Sequence, residues 1–454
     1  MKKQKWITAI LATVAGAMIT STGRAQSTDA LLDKLVEKGV LTVKDANELR
    51  EESDKNFNTA LSAKMGMPDW VTALKLNGDV RGRYENFSSD NSAFVERTRF
   101  RYRLRFGVTA QLMDDFEVGF RLTSDETAAG GANNEGDPIS GNTTFQNNGS
   151  KKLVYLDQVY GKWTPFKGPH LMGSFTVGKM ENPFVLSDMV FDPDYTPEGV
   201  ASQMAYRFND VHTARLNAGA FMLDELANNG ADPFLVGGQA RWDANWSPKI
   251  QTSLGLAGLI IANGGSLTNS VVPNVNRGNS RNLDGTLTYG FHSIVADASI
   301  VYVLDSAPFY AGPFPIKLAG DYMFNPEAPG SANNYAYSVG VTFGKAGKRK
   351  TWELAYTYKY LGANAWWEEL VDSDFGAFYP ANNSPANSGA NIGYGAGTNV
   401  RGHIVRFAYS PTDSFTLSVK WFMTELINTF PATFPASSSK SDMSRLQVDA
   451  NWKF

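Results

Sequence analysis

In the stretch Glu96 to Gln111, ERTRFRYRLRFGVTAQ, arginine recurs at every second position: Arg97, Arg99, Arg101, Arg103 and Arg105. Thr98, Phe100, Tyr102, Leu104, Phe106 and Val108 fill the positions between them. Side chains alternate faces along a strand, so a period of two gives one guanidinium face and one apolar face, whereas a helix would scatter the arginines around its circumference. Taken alone, such a strand also suits a soluble sheet whose polar face meets water. The rest of the chain points elsewhere.

From Thr72 onward the same period persists. Leu74, Leu76, Val80 and Tyr84 alternate with Lys75, Asn77, Asp79, Arg81 and Arg83, and the final segment sets Leu446, Val448, Ala450, Trp452 and Phe454 against Arg445, Gln447, Asp449, Asn451 and Lys453. The polar faces are too numerous and too charged for loops of a sandwich. Turned inside out the pattern fits an outer-membrane barrel, with apolar residues toward lipid, aromatic girdles at the interfaces and a polar interior. Closure also pairs every backbone donor and acceptor in hydrocarbon, which an open sheet does not.

The expected fold is therefore all-β: an antiparallel transmembrane β-barrel of about 16 strands. Strands are predicted to start near residues 73, 97, 115, 153, 170, 200, 212, 234, 249, 288, 316, 334, 351, 398, 414 and 444. Short connections at Met113 to Asp115, Asn209-Asp210, Ser247-Pro248 and Pro411 to Asp413 then share one side. The long polar segments Ser124 to Lys151, Asn263 to Asp284, Gly362 to Gly397 and Asn428 to Ser441 share the other. Gly285 to Leu304 reads as one long strand or as a broken pair, and a pair would upset the parity. Gly393 to Thr398 lacks the strand-to-helix context of a phosphate loop and reads as surface.

The N-terminus carries Lys2, Lys3 and Lys5, then apolar Ile7 to Ile19, then Gly23-Arg24-Ala25, the layout of a signal peptide spanning 1–25. Its removal takes away Lys2, Lys3, Lys5 and Arg24, so the net charge of −3 becomes −7 in the mature chain. Residues 26–71 are expected to be a helical periplasmic segment. Leu31, Leu32, Leu35 and Val36 fall at helical spacing before Gly39, and Thr42 with Asp45 opens a second helix. That segment reads equally as an oligomerisation or peptidoglycan-tethering element and as a solvated hairpin. The barrel is expected over 72–454. With no cysteine, disulfides and thiolate chemistry are excluded, and no basic excess suggests nucleic acid.

Leu76 to Tyr84 (LNGDVRGRY), the arginine strand, Leu156 to Pro165 (LDQVYGKWTP), Gly178 to Phe184 (GKMENPF) and Asp192 to Gly199 (DPDYTPEG) resemble the putative porin family of Gram-negative outer membranes. The resemblance runs from about Leu74 to the end and implies a passive diffusion pore for small hydrophilic solutes or ions, without naming the solute. Likeness to general porins also implies a homotrimer. The terminal Trp452 and Phe454, after alternating apolar residues, resemble the signal read by the barrel-assembly machinery.

Selectivity in such a pore would be electrostatic filtration, so the lumen charges and whatever narrows the lumen matter most. Arg81 and Arg83 join Arg97, Arg99, Arg101, Arg103 and Arg105 as expected pore-lining bases. The third outer loop, Met180 to Gly199, holds Phe184, Val185, Leu186, Met189, Val190 and Phe191, which an exposed loop would not need, with Glu181, Asp188, Asp192, Asp194 and Glu198. It is expected to fold inward as a constriction, its acids opposite the arginines, with weak anion preference as the result. Close like charges repel, so some arginines should be bridged by Asp79, Glu117 or the loop acids. The alternative is an arginine ladder tied into wall salt bridges that adds rigidity only.

An outer-membrane enzyme is a poorer reading: His170, His212, His292 and His403 are scattered without motif or metal spacing, and no cofactor is expected. An anchor or adhesin with a poorly conducting barrel remains the rival function. An energised transporter is disfavoured, because fewer than 50 mature residues precede the first strand, too few for a plug domain.

Overall fold

The computed structural model describes residues 68–92, 94–126, 135–228, 230–267, 278–379, 393–428 and 440–454. The signal-peptide expectation, and the helical-segment expectation up to residue 67, fall outside those residues; Val71, expected to close that segment, is instead in a strand. The chain divides into units Met1–Ala73 and Leu74–Phe454, and the second is the barrel.

Nineteen strands are described: β1 Val71–Ser88, β2 Arg97–Leu112, β3 Phe116–Asp125, β4 Thr143–Thr144, β5 Leu153–Lys167, β6 Leu171–Lys179, β7 Glu198–Arg207, β8 His212–Met222, β9 Phe234–Ser247, β10 Ile250–Ala262, β11 Phe291–Leu304, β12 Phe314–Phe324, β13 Tyr335–Gly344, β14 Thr351–Leu361, β15 Gly376–Tyr379, β16 Gly393–Ala396, β17 Val400–Thr412, β18 Phe415–Leu426 and β19 Met443–Lys453. Sixteen of them, all but β4, β15 and β16, form one closed antiparallel barrel. The last strand returns to the first, with Asp79 opposite Lys453 and Ser88 opposite Ser444. Every predicted strand is present, and none begins more than three residues from its expected start. The segment Gly285 to Leu304 resolves into a loop and the single strand β11, so parity holds.

The alternation read from the sequence sets which way each residue faces. Leu76, Phe100, Leu104, Val118, Leu256, Leu318 and Val419 are exposed on the outer face, as lipid-facing residues must be in an isolated barrel. Phe116, Trp163, Tyr206, Trp246, Tyr302, Trp352, Tyr409 and Trp452 ring the end that carries the short turns. Near the other end Tyr335, Tyr337 and Tyr360 stack at centroid spacings of 5.2 and 5.3 Å. Two aromatic girdles separated by an apolar band mark the membrane-spanning height.

The interior is not simply wet. One side is filled by apolar side chains from two in-folded loops, packed on inward residues of β9 to β14. Met189, Val190 and Phe191 from residues 180–197, and Trp366, Trp367 and Leu370 from residues 362–379, meet Leu235, Leu259, Phe291, Val295 and Met323 of the wall. Trp366 is fully buried, edge-on to Phe191 at 6.0 Å and to Phe291 at 6.1 Å. Large aromatic side chains buried this way supply most of the energy that keeps a loop folded against a wall.

Candidate functional site

Opposite that apolar packing, the inner faces of β1, β2, β18 and β19 carry charge. Arg83 grips Asp449 with two nitrogens at 2.7 and 2.9 Å and reaches Asp374 of the second in-folded loop at 3.1 Å. Arg103 bonds Asp79 at 3.0 Å and both oxygens of Asp194 at 2.8 and 2.9 Å, and Arg105 bonds Asp79 at 2.6 Å. Glu85, fully buried, sits between Arg99 and Arg445, and Arg445 also reaches Asp374 at 2.7 Å. Arg101 donates to the Asn142 carbonyl at 2.8 Å, and Arg81 to the neutral Asn142 side chain at 2.6 Å.

The period of two places these side chains together: β1 and β19 pair so that Arg81 faces Asn451, Arg83 faces Asp449 and Glu85 faces Gln447. Not every expected residue joins. Arg97 is exposed at the strand start, and Glu117 bonds Gln111 and Tyr160 rather than an arginine. The register explains this, since Glu117 is opposite Gln111 at the far end of the ladder from Arg97. Glu198 is the first residue of β7, not part of the loop, and pairs with Lys179 at 2.9 Å. Glu181 is exposed. Asp188 turns away from the arginines to Lys359, 2.6 Å away. Trp452 packs on Phe415 at 4.8 Å and Phe454 ends exposed.

The loop 180–197 is tied down by more than contact area. The Val185 N–H donates to the Gln239 side chain at 2.9 Å, and the Gln239 amide returns a bond to the Val185 carbonyl at 2.7 Å. The two in-folded loops bond to each other directly: the Asp192 N–H to the Leu370 carbonyl at 2.7 Å, and the Asp372 N–H to the Asp188 carbonyl at 3.0 Å. The Asp192 carboxyl accepts the Ser373 and Asp194 N–H groups, each at 2.7 Å.

Charge neighbours sort the loop acids. Burial pushes Asp194 up, but Arg103, Arg81 and Arg105 outweigh it and hold its carboxyl below the usual range. Burial acts likewise on Asp374, and Arg445 and Arg83 hold it well below. Asp192 goes the other way: burial, then the neighbouring Asp194 and Asp372, push it well above the ordinary carboxylate value.

Reasoning from sequence overlooked the second in-folded loop, with Trp366, Asp372 and Asp374, and its wall partners Lys359 and Arg445. The signal was available, because the adjacent Trp366 and Trp367 are apolar residues of the kind that singled out 180–197.

Two cavities open off this charged wall. The inner one, of about 400 Å³, is lined by Arg81, Arg83, Lys420, Asp374 and Asp449, and reaches Gly347 and Lys453 at the short-turn end. The outer one, of about 610 Å³, is lined by Asp137, Asp157, Asp224 and Glu225 at the long-loop end. Arg103, Arg105 and Asp194 line both. The four histidines lie on different connections and strands, with His292 paired to Glu327 at 2.8 Å and His403 bonded to Tyr356 at 2.8 Å.

A closed barrel with a charged, cavity-bearing interior is the architecture of a membrane channel, and the sequence agrees. Residues 91–270 match the putative porin family. Porin-like barrels of this kind reside in the Gram-negative outer membrane. Among curated proteins none matches the sequence. Among solved structures, Pseudomonas putida OprB is similar at 11% identity and TM-score 0.49, covering 84% of this chain and 94% of that one. The outer membrane channel DcaP of Acinetobacter baumannii is similar at 12% identity and TM-score 0.42, covering 84% and 97%. OmpT of Vibrio cholerae is similar at 11% identity and TM-score 0.40, covering 85% and 99%. The closed sixteen-strand barrel itself is established by the strand register rather than by these likenesses.

Proposed function

We propose that the protein is a passive outer-membrane diffusion channel, not an enzyme, whose water path runs along the arginine wall past Asp194. It carries small hydrophilic solutes and ions with a weak preference for anions. The observation that carries this reading is that Arg103, Arg105 and Asp194 line both the inner and the outer cavity, while apolar packing of the in-folded loops occupies the other side of the lumen. A channel narrowed to one charged wall filters by electrostatics.

The preference is weak because most of the guanidinium charge is matched by Asp79, Glu85, Asp194, Asp374 and Asp449. Arg81, bonded to a neutral amide, leaves the balance positive. In planar bilayers under a salt gradient, the reversal potential is expected to show anions favoured, and Arg81→Gln with Arg105→Gln to abolish the bias. A strong cation preference that survives neutralising Arg99, Arg101 and Arg103 overturns the anion reading, and a barrel that carries no current supports the anchor instead.

A homotrimer, assembly through the C-terminal Trp452 and Phe454, and attachment to peptidoglycan by the segment before the barrel belong to the same proposal. Crosslinking of the purified protein in detergent, and truncation before residue 72, test them.

A further inference from the structure

The two cavities differ sharply in charge. Apart from Arg103, Arg105 and Asp194, which they share, the outer cavity carries eight carboxylates, Glu135, Asp137, Asp157, Asp224 and Glu225 among them, against Arg121 and Lys179. Those two cations are already taken, Arg121 by Asp157 and Lys179 by Glu198 at 2.9 Å. The inner cavity instead sets five cations against five carboxylates, and the shared Arg103, Arg105 and Asp194 tip it slightly positive. The acids of the mouth also feel one another: burial and then the nearby Glu135, Glu225 and Asp232 raise the Asp224 carboxyl.

We infer that the channel is electrically polar along its axis, an acidic outer mouth leading to a slightly positive arginine throat, and that it therefore rectifies ion current. The inference rests on the channel reading above. Fixed negative charge at one end concentrates cations there. When the field drives cations from the mouth into the throat, the throat fills with carriers; when the field reverses, the throat is fed from bulk solution and is depleted. The effect requires fixed charge to reach across the cavity, which it does when the Debye length is about 10 Å near 0.1 M salt but not when it is about 3 Å near 1 M.

Single channels of the full mature protein in a planar bilayer test this with equal salt on both sides. In about 0.1 M KCl the currents at opposite polarities of ~100 mV are expected to differ about two-fold, and the ratio to fall to about one in 1 M KCl. The triple variant Glu135→Gln, Asp224→Asn, Glu225→Gln removes three of the mouth's acids, and is expected to give a linear response in low salt. A linear response of the unmodified channel in low salt overturns the inference while leaving the channel reading intact, as does rectification undiminished in the triple variant. Absence of any steady current removes the channel reading and the inference together.

Discussion

Arg103 on β2 holds both oxygens of Asp194, at 2.8 and 2.9 Å, across the space between the barrel wall and the in-folded loop 180–197. Residues 91 positions apart in the chain thus define one point of the lumen. The same guanidinium bonds Asp79 on the neighbouring strand, so a change at the loop is felt in the wall.

Asp194→Asn removes the carboxylate shared by Arg103 and Arg105 and leaves Asp79 as their remaining acid partner. The anion-to-cation permeability ratio is expected to rise about two- to three-fold, since an uncompensated charge a few ångströms from the path acts in a low effective dielectric. Reversal potentials before and after substitution measure it, and a shift toward cations contradicts the assignment.

Trp366→Ala empties the centre of the apolar packing between the two loops and the wall. Truncating a fully buried tryptophan costs about 3–5 kcal/mol in a well-packed core. The in-folded loops, not the barrel, are expected to loosen first, seen as greater protease sensitivity of residues 362–379 at temperatures where the barrel still migrates as folded on a gel.

Lys359→Met deletes a cation that lies 2.6 Å from Asp188 and 3.4 Å from Asp372. Removing one member of a buried pair strands the other charge, typically at about 3–5 kcal/mol. Noisier single-channel currents than the parent are expected, and adding Asp188→Asn should quiet them by removing the stranded charge.

The loop acids predict a pH window. Asp194 and Asp374, lowered in the folded state, contribute attachment that is fully present above the ordinary carboxylate value and is lost as pH falls through their depressed values. Asp192, raised, contributes below the ordinary value and loses that contribution as pH climbs through its elevated one. Loop attachment, followed by protease sensitivity against pH, should weaken on both flanks, and Asp192→Asn should remove the alkaline flank alone.

What the sequence by itself determined is the barrel. A strict period of two needs no partner to be read, because backbone geometry alone assigns alternate side chains to opposite faces, and parity of strands follows from the lengths of the connections. The sixteen starts, the outward leucines and the inward arginines of β2 come from that local rule. What only the tertiary structure decided is which charges meet. Loop residues carry no period, so nothing local says that Asp374 lands on Arg83 and Arg445, that Asp188 prefers Lys359 to an arginine, or that Trp366 seats against Phe191. Those pairings join residues up to 291 positions apart, and they form because an inward-folded loop must bury its apolar side chains and match its charges at once, a condition set by the closed wall around it.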